Sequence, residues 1–217
     1  MSLVLYLYSA PKYQNTTAEE IKLIESYLEW QHEKNNNGKY SCDTFEQWCS
    51  HSESELPSKD VIEYYQQFWI KKKMRIEMLG DMDVYSIFNQ LGRFCKTNHI
   101  INWFYKNVMN GELDKNFHEV SKEQICSLYH ICKKIRDTGI ELIEKNKHGI
   151  DALNKYNVDE SVTNLLPPLY GNKGMFFGST ECDSFYAYQI IRAVDILENI
   201  INTTDFDKQV IYLKPIW

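Results

Sequence analysis

Apolar positions along this chain fall either into short continuous runs or into three- and four-residue spacings, and the two patterns separate strands from helices. Residues 3–8, Leu-Val-Leu-Tyr-Leu-Tyr, form one unbroken run closed by Ser9-Ala10-Pro11, the pattern of a buried strand. Thr16 or Thr17 then offers a helix cap, with Glu19 and Glu20 in the favourable first turn. Ile21, Ile24 and Leu28 mark the inner face of that helix, and Asn35-Asn36-Asn37-Gly38 stops it. A short helix is predicted over 42–50, with Phe45, Trp48 and Cys49 inward, followed by a polar break and flexible loop at 50–58. Helical spacing resumes from Ser58 to about Leu79 through Val61, Ile62, Tyr65, Phe68, Trp69, Lys72 and Ile76, with Gly80 placed to end it. From Asp83 the positions Val84, Ile87, Phe88, Leu91, Phe94 and Cys95 again read as helix, continuing through Ile101, Phe104 and Val108 to Asn110-Gly111.

Ser121-Lys122-Glu123-Gln124 fits a capping box, in which Ser and Gln satisfy each other's unpaired backbone donors. Its helix is predicted to run to about Asn146, while 149–165 shows no single period. Leu166-Pro167-Pro168 forces extended chain and Tyr170 to Gly174 has turn chemistry. Met175-Phe176-Phe177 then reads as a short strand, and a helix follows from about Thr180 to Asn202. Gln209–Ile216 alternates as a closing strand, with Pro215 pointing to a sheet edge. The expected class is α+β. It is a mostly helical body with a small sheet formed by the N-terminal, C-terminal and Phe176 strands, in one domain over residues 1–217.

Composition narrows the function classes. The 217 residues include 15 Tyr and 14% aromatics, which argues for a packed globule. Net charge is −6, so a duplex nucleic acid, which requires a positive field, is not an expected partner. The Lys71-Lys72-Lys73 cluster with Arg75 reads as a solvated helix face. None of the six cysteines forms a C-x-x-C pair, and no apolar run approaches the ~20 residues of a membrane span. A reduced, cytoplasmic setting without a membrane partner is expected, and neither a cofactor nor a metal is called for. Cys126 and His130 are an isolated i, i+4 pair with no second pair at zinc spacing.

Two segments carry the candidate chemistry. Gly178-Ser179-Thr180-Glu181-Cys182-Asp183 stands where an extended segment turns into a helix. Backbone N–H groups at a helix start favour anions. A carboxylate about 4 Å from a bound phosphate charge nevertheless costs ~1 kcal/mol in water and ~4 kcal/mol at an effective dielectric of 20. Two readings follow: Thr180 is a cap with the two acids complementing the dipole, or Ser179, Thr180, Glu181 and Asp183 bind hydroxyl or amino groups of a polar molecule. Cys182 has a helix start that lowers its pKa and acidic neighbours that raise it, which favours a packed thiol. In the second segment, helical spacing puts Lys96, His99 and Trp103 on one stripe, next to Arg93. Such a stripe suits a phosphate and a stacked base, or else a surface Lys, a hydrogen-bonded His and a core Trp.

The opening Met-Ser-Leu-Val-Leu-Tyr-Leu, the stretch Lys96-Thr97-Asn98-His99-Ile100-Ile101-Asn102-Trp103-Phe104, the run Gly174-Met175-Phe176-Phe177-Gly178-Ser179-Thr180-Glu181-Cys182-Asp183 and Trp217 occur in an order that resembles a largely uncharacterised family of small proteins encoded by bacteriophages and prophages. That family typically opens Met-Gly-Leu-Asp-Met-Tyr-Leu, has Arg-Lys-Ala-Asn-x-Ile-His-x-Trp-Phe in its middle and later Gly-Phe-Phe-Phe-Gly-Ser-Thr-Glu-Tyr-Asp. The match covers about a sixth of the chain. Here Cys95 stands in place of Arg and Ile101 in place of His, so an Arg–His pair is absent or shifted to Arg93 and His99. The resemblance implies a phage-type accessory protein of the host cell cytoplasm. Its expected partner is a small polar or nucleotide-like molecule, in the most concrete version a nucleotide-derived host defence signal that is sequestered without turnover. The alternatives are a hydrolase or transferase using Glu181 or Asp183 with Lys96 or His99, and an inhibitor that binds a host protein. Homo-oligomer formation is left open.

Overall fold

The opening apolar run is the strand its pattern predicts: β1 (Val4–Pro11) is buried at every position. A computed structural model describes residues 3–37, 57–76, 80–169 and 177–217. After β1 come α1 (Ala18–Asn37), α2 (Lys59–Gln66), β2 (Ile70–Ile76), β3 (Gly80–Ser86), β4 (Asn89–Cys95) and α3 (Asn98–Asn107). Then follow β5 (His118–Val120), α4 (Lys122–Gly139), β6 (Ile140–Glu144), a 3-10 turn at Asp151–Leu153, β7 (Lys155–Val158), α5 (Glu160–Thr163), α6 (Ser184–Thr203) and β8 (Gln209–Ile216). The expected α+β class is what forms. The main sheet has the order β4-β1-β8-β5, so the strands from the two ends of the chain are neighbours, and two hairpins, β2–β3 and β6–β7, stand as separate two-stranded sheets.

By contacts the chain divides into two compact units. The first holds Met1–Tyr8, Leu91–Phe206 and Ile211–Trp217. Alternation along β1 gives it two faces. Leu3, Leu5 and Leu7 join Ile100, Ile101 and Phe104 of α3, Ile125, Leu128, Cys132 and Ile135 of α4, and Ile190, Val194 and Leu197 of α6 in one core. The opposite face is aromatic: Tyr6 stacks on Tyr8 at 5.9 Å, Tyr8 meets Phe117, and Phe117 meets Tyr212 edge-on. Gly92 lets α6 approach β4, because a Cβ there would lie 2.5 Å from Ile196 Cγ2. The Ser121–Gln124 capping box at the start of α4 is present in both directions. Trp217 packs half-buried against the core.

The second unit holds Ser9–Gln90 and Asp207–Val210. Thr17 and Glu20 cap α1 reciprocally, the Glu20 carboxylate accepting from Thr17 N at 2.7 Å and Thr17 Oγ1 accepting from Glu20 N at 3.2 Å. Glu25, one turn further along the same helix, is a buried carboxylate. Its Oε1 accepts from Ser86 Oγ and Ile87 N, both at 2.5 Å, and its Oε2 pairs with Lys22 Nζ. Lys72 donates to Ile87 O at 2.9 Å, and burial holds its pKa below the usual lysine value against the pull of Glu25. The chain reversal after β3 is thus tied to α1 by one carboxylate.

Several sequence expectations are corrected. The helix predicted over 58–79 ends at Gln66, and β2 pairs antiparallel with β3 from Ile70↔Ser86 to Ile76↔Gly80. Lys71, Lys72, Lys73 and Arg75 therefore lie on a strand, not a helix face. Lys72 fits the helical spacing, but on the strand its amine reaches Ile87 O. The helix predicted from 83 to 108 is a strand end, a reversal at Ile87-Phe88 fixed by Glu25, the strand β4, and then α3. The helix after Ser121 stops at Gly139 and the chain continues as β6. The last helix begins at Ser184, not Thr180, because Asp183 is its cap. Pro215 is not on an edge strand: β8 lies between β1 and β5, but β5 pairs only with Ile211–Leu213, so Pro215 stands beyond the β5 ladder. The predicted 42–50 helix, most of the 50–58 loop and the Met175-Phe176 part of the predicted strand lie outside the described residues. Phe177 is in a turn and Gly178 in an isolated bridge. Among the described residues no helix is long and apolar enough to cross a membrane.

Glu25→Ala would leave Ser86 Oγ, the buried Ile87 N–H and the Lys22 cation without their shared acceptor, and would remove the charge that attracts Lys72. It should lower stability by about 3 kcal/mol in urea unfolding. An unchanged midpoint would show that the carboxylate is not the tether.

Candidate functional site

The site begins with a backbone contact. Gly178 has φ +94, and a Cβ on it would lie 2.2 Å from Lys96 O. Glycine is therefore required here twice, once for conformation and once for space. Lys96 itself sits at φ 55, in the short turn between β4 and α3. The two sequence segments that carry the candidate chemistry meet at this point.

Around it lies a cleft of about 280 Å³, open to solvent on one side. Lys96, Thr97 and His99 line one wall, Ser179 and Glu181 another, and Tyr186 and Gln189 of α6 face them. Of the predicted residues, Lys96, His99, Ser179 and Glu181 come together, and Thr180, Asp183, Arg93 and Trp103 are not in the lining. Thr180 is half-buried in irregular chain and does not cap α6. That role belongs to Asp183, whose Oδ1 accepts from Phe185 N at 3.0 Å and Tyr186 N at 2.9 Å. Arg93 lies with its guanidinium 6.0 Å from the Tyr6 ring. Trp103 is buried and packs edge-on against Phe104. The predicted helical stripe of Lys96, His99 and Trp103 does not form, because Lys96 precedes the helix.

The lining is held by bonds on both sides. Asn98 Oδ1 accepts from Leu169 N at 2.7 Å, and Asn102 Nδ2 donates to Pro167 O at 2.8 Å, which fixes α3 to the Pro-Pro segment. Ser179 Oγ accepts from Glu181 N at 3.0 Å and shapes the turn opposite. His99 is 3% exposed, with its ring 4.5 Å from that of Tyr186. Its Nε2 is 3.6 Å from Cys182 Sγ. Burial lowers the His99 pKa to about 4, against the opposing pull of Asp183. Burial raises that of the Cys182 thiol, with Asp183 and Glu181 adding to it. At neutral pH the pair is a neutral thiol on a neutral imidazole, not a thiolate–imidazolium pair. Among the described residues no three His, Cys, Asp or Glu side chains converge as a metal site.

Sequence reasoning missed Thr97, Tyr186 and Gln189. The signal was there for Thr97: Thr97-Asn98-His99-Ile100 opens a helix with no acid in its first turn. No protein-family model, no curated protein and no solved structure matches the chain.

Gly178→Ala should lower stability by about 2–3 kcal/mol through the left-handed backbone alone, with the Lys96 clash adding to it. A melting temperature equal to that of the parent would refute the contact. For His99 the unfolded pKa is the ordinary 6.5 and the folded one about 4. Its contribution is therefore complete above pH 6.5 and is lost as pH falls toward 4, about 3 kcal/mol in total. His99→Phe should flatten the stability–pH curve over that window, and an unaltered slope would count against a buried neutral imidazole.

Proposed function

We propose that this chain is a phage-type accessory protein that binds a small polar ligand in the Lys96–Glu181 cleft without turning it over. The observation that carries the reading is the convergence of the two segments on which the family resemblance rests. They line one cleft, with a cation, a carboxylate, an imidazole and hydroxyls facing the same space. The state of the polar groups favours binding over catalysis. Cys182 keeps its proton, His99 is a weak base, and Asp183 is engaged as a helix cap. Among the described lining residues His99, held as a weak base, is a poor partner for a hydrolase built on Glu181 or Asp183.

A nucleotide-derived host defence signal is the ligand that the resemblance puts first. The cleft is open to solvent, so it would hold part of a nucleotide and leave the rest in water. Calorimetric titration with nucleotides, cyclic nucleotides, free amino acids and polyols tests the reading. One class should bind, and Lys96→Ala and Glu181→Ala should each weaken it about tenfold or more. Absence of binding by every member, or binding indifferent to both substitutions, would overturn it.

A further inference from the structure

Two helix starts border the candidate segments, and they are finished in opposite ways. The start of α6 is closed by Asp183, which occupies its first-turn N–H groups. The start of α3 is not closed by a side chain: Thr97 holds the cap position without a cap bond, and no acidic residue lies in the first turn. The first N–H groups of a helix lie outside its own hydrogen-bond ladder and carry the positive end of its dipole. In α3 such groups belong to His99 and Ile100, and both residues line the cleft.

An independent sign of a ligand comes from two hydroxyls. Thr97 is 4% exposed and Tyr186 5%, both line the cleft, and neither Thr97 Oγ1 nor Tyr186 OH has a hydrogen-bond partner. Buried hydroxyls without a partner are rare, because burial strips them of water and gives nothing back. Two of them on one cleft mark where a ligand completes the bonding. His99 lines the same wall, with its Nε2 3.6 Å from Cys182 Sγ. Lys96 supplies a cation. Against these donors stands one carboxylate, Glu181.

We infer that the cleft takes a small zwitterion of the free amino-acid class, its carboxylate on the start of α3 and its ammonium on Glu181. This rests on the reading of the cleft as a ligand site. Glu181 decides between anions: it repels a phosphate dianion about twice as strongly as a carboxylate and attracts the ammonium that an amino acid carries.

The test is a calorimetric titration of the whole protein with the free amino acids, their N-acetyl derivatives, their amides, inorganic phosphate and adenosine monophosphate. At least one free amino acid should bind, and removing either its ammonium charge or its carboxylate should weaken binding at least tenfold. Thr97→Val should abolish binding yet keep or raise the melting temperature, because it removes an unpartnered hydroxyl and no cap bond. Tyr186→Phe should likewise keep or raise it while weakening binding. If phosphate or the nucleotide binds in a Lys96-dependent way and no amino acid does, the zwitterion assignment falls and the ligand site stands. If nothing binds, both fall. A loss of melting temperature in both hydroxyl variants would show that the hydroxyls serve the fold and would overturn the inference.

Discussion

The close approach of Gly178 to the Lys96 carbonyl is the constraint on which the first unit's site depends. No other residue could stand at 178, since a side chain would need both a left-handed backbone and room that Lys96 O occupies. Everything that follows in the chain is placed by this contact. Ser179 turns the backbone, Glu181 reaches the cleft, Cys182 meets His99, and Asp183 starts α6. On the other side, Lys96 leaves β4 in a left-handed turn and delivers Thr97 to the head of α3. One atom of clearance holds two helix starts beside each other.

Those two starts show how similar local chemistry is used differently. An aspartate at a cap satisfies its helix and removes the dipole from play. A threonine whose hydroxyl makes no cap bond leaves it in play. The structure carries that arrangement with two unpartnered hydroxyls, Thr97 Oγ1 and Tyr186 OH, each unfavourable for folding alone.

Much of the fold was legible in the sequence where one physical cause dominated. The Leu-Val-Leu-Tyr-Leu run could only be a strand buried on both faces, and Ser121-x-x-Gln124 could only open a helix. Where two causes competed, the pattern misled. Ile70 to Ile76 and Leu91 to Cys95 carry spacings that fit a helix, but Glu25 reaches from α1 to fix the reversal at Ile87-Phe88 and turns the flanking segments into strands. No local window contains that carboxylate. For the site, the residue types in both segments were readable, and so was the conflict between the acids and an anion. Their meeting was not, nor was the exchange of capping role from Thr180 to Asp183. The helix start that faces the cleft lies in the other segment.

Cys182 and His99 touch although 83 residues separate them. The cleft is consequently a product of long-range closure, formed only when the region around Gly178 has docked on the β4–α3 turn. Loop closure over such a distance is entropically slow and cannot be anticipated by any local fragment. A fragment ending at Leu169 would hold every residue of one wall and none of the other. The cleft is thus complete only when both of these segments have taken their places in the first unit.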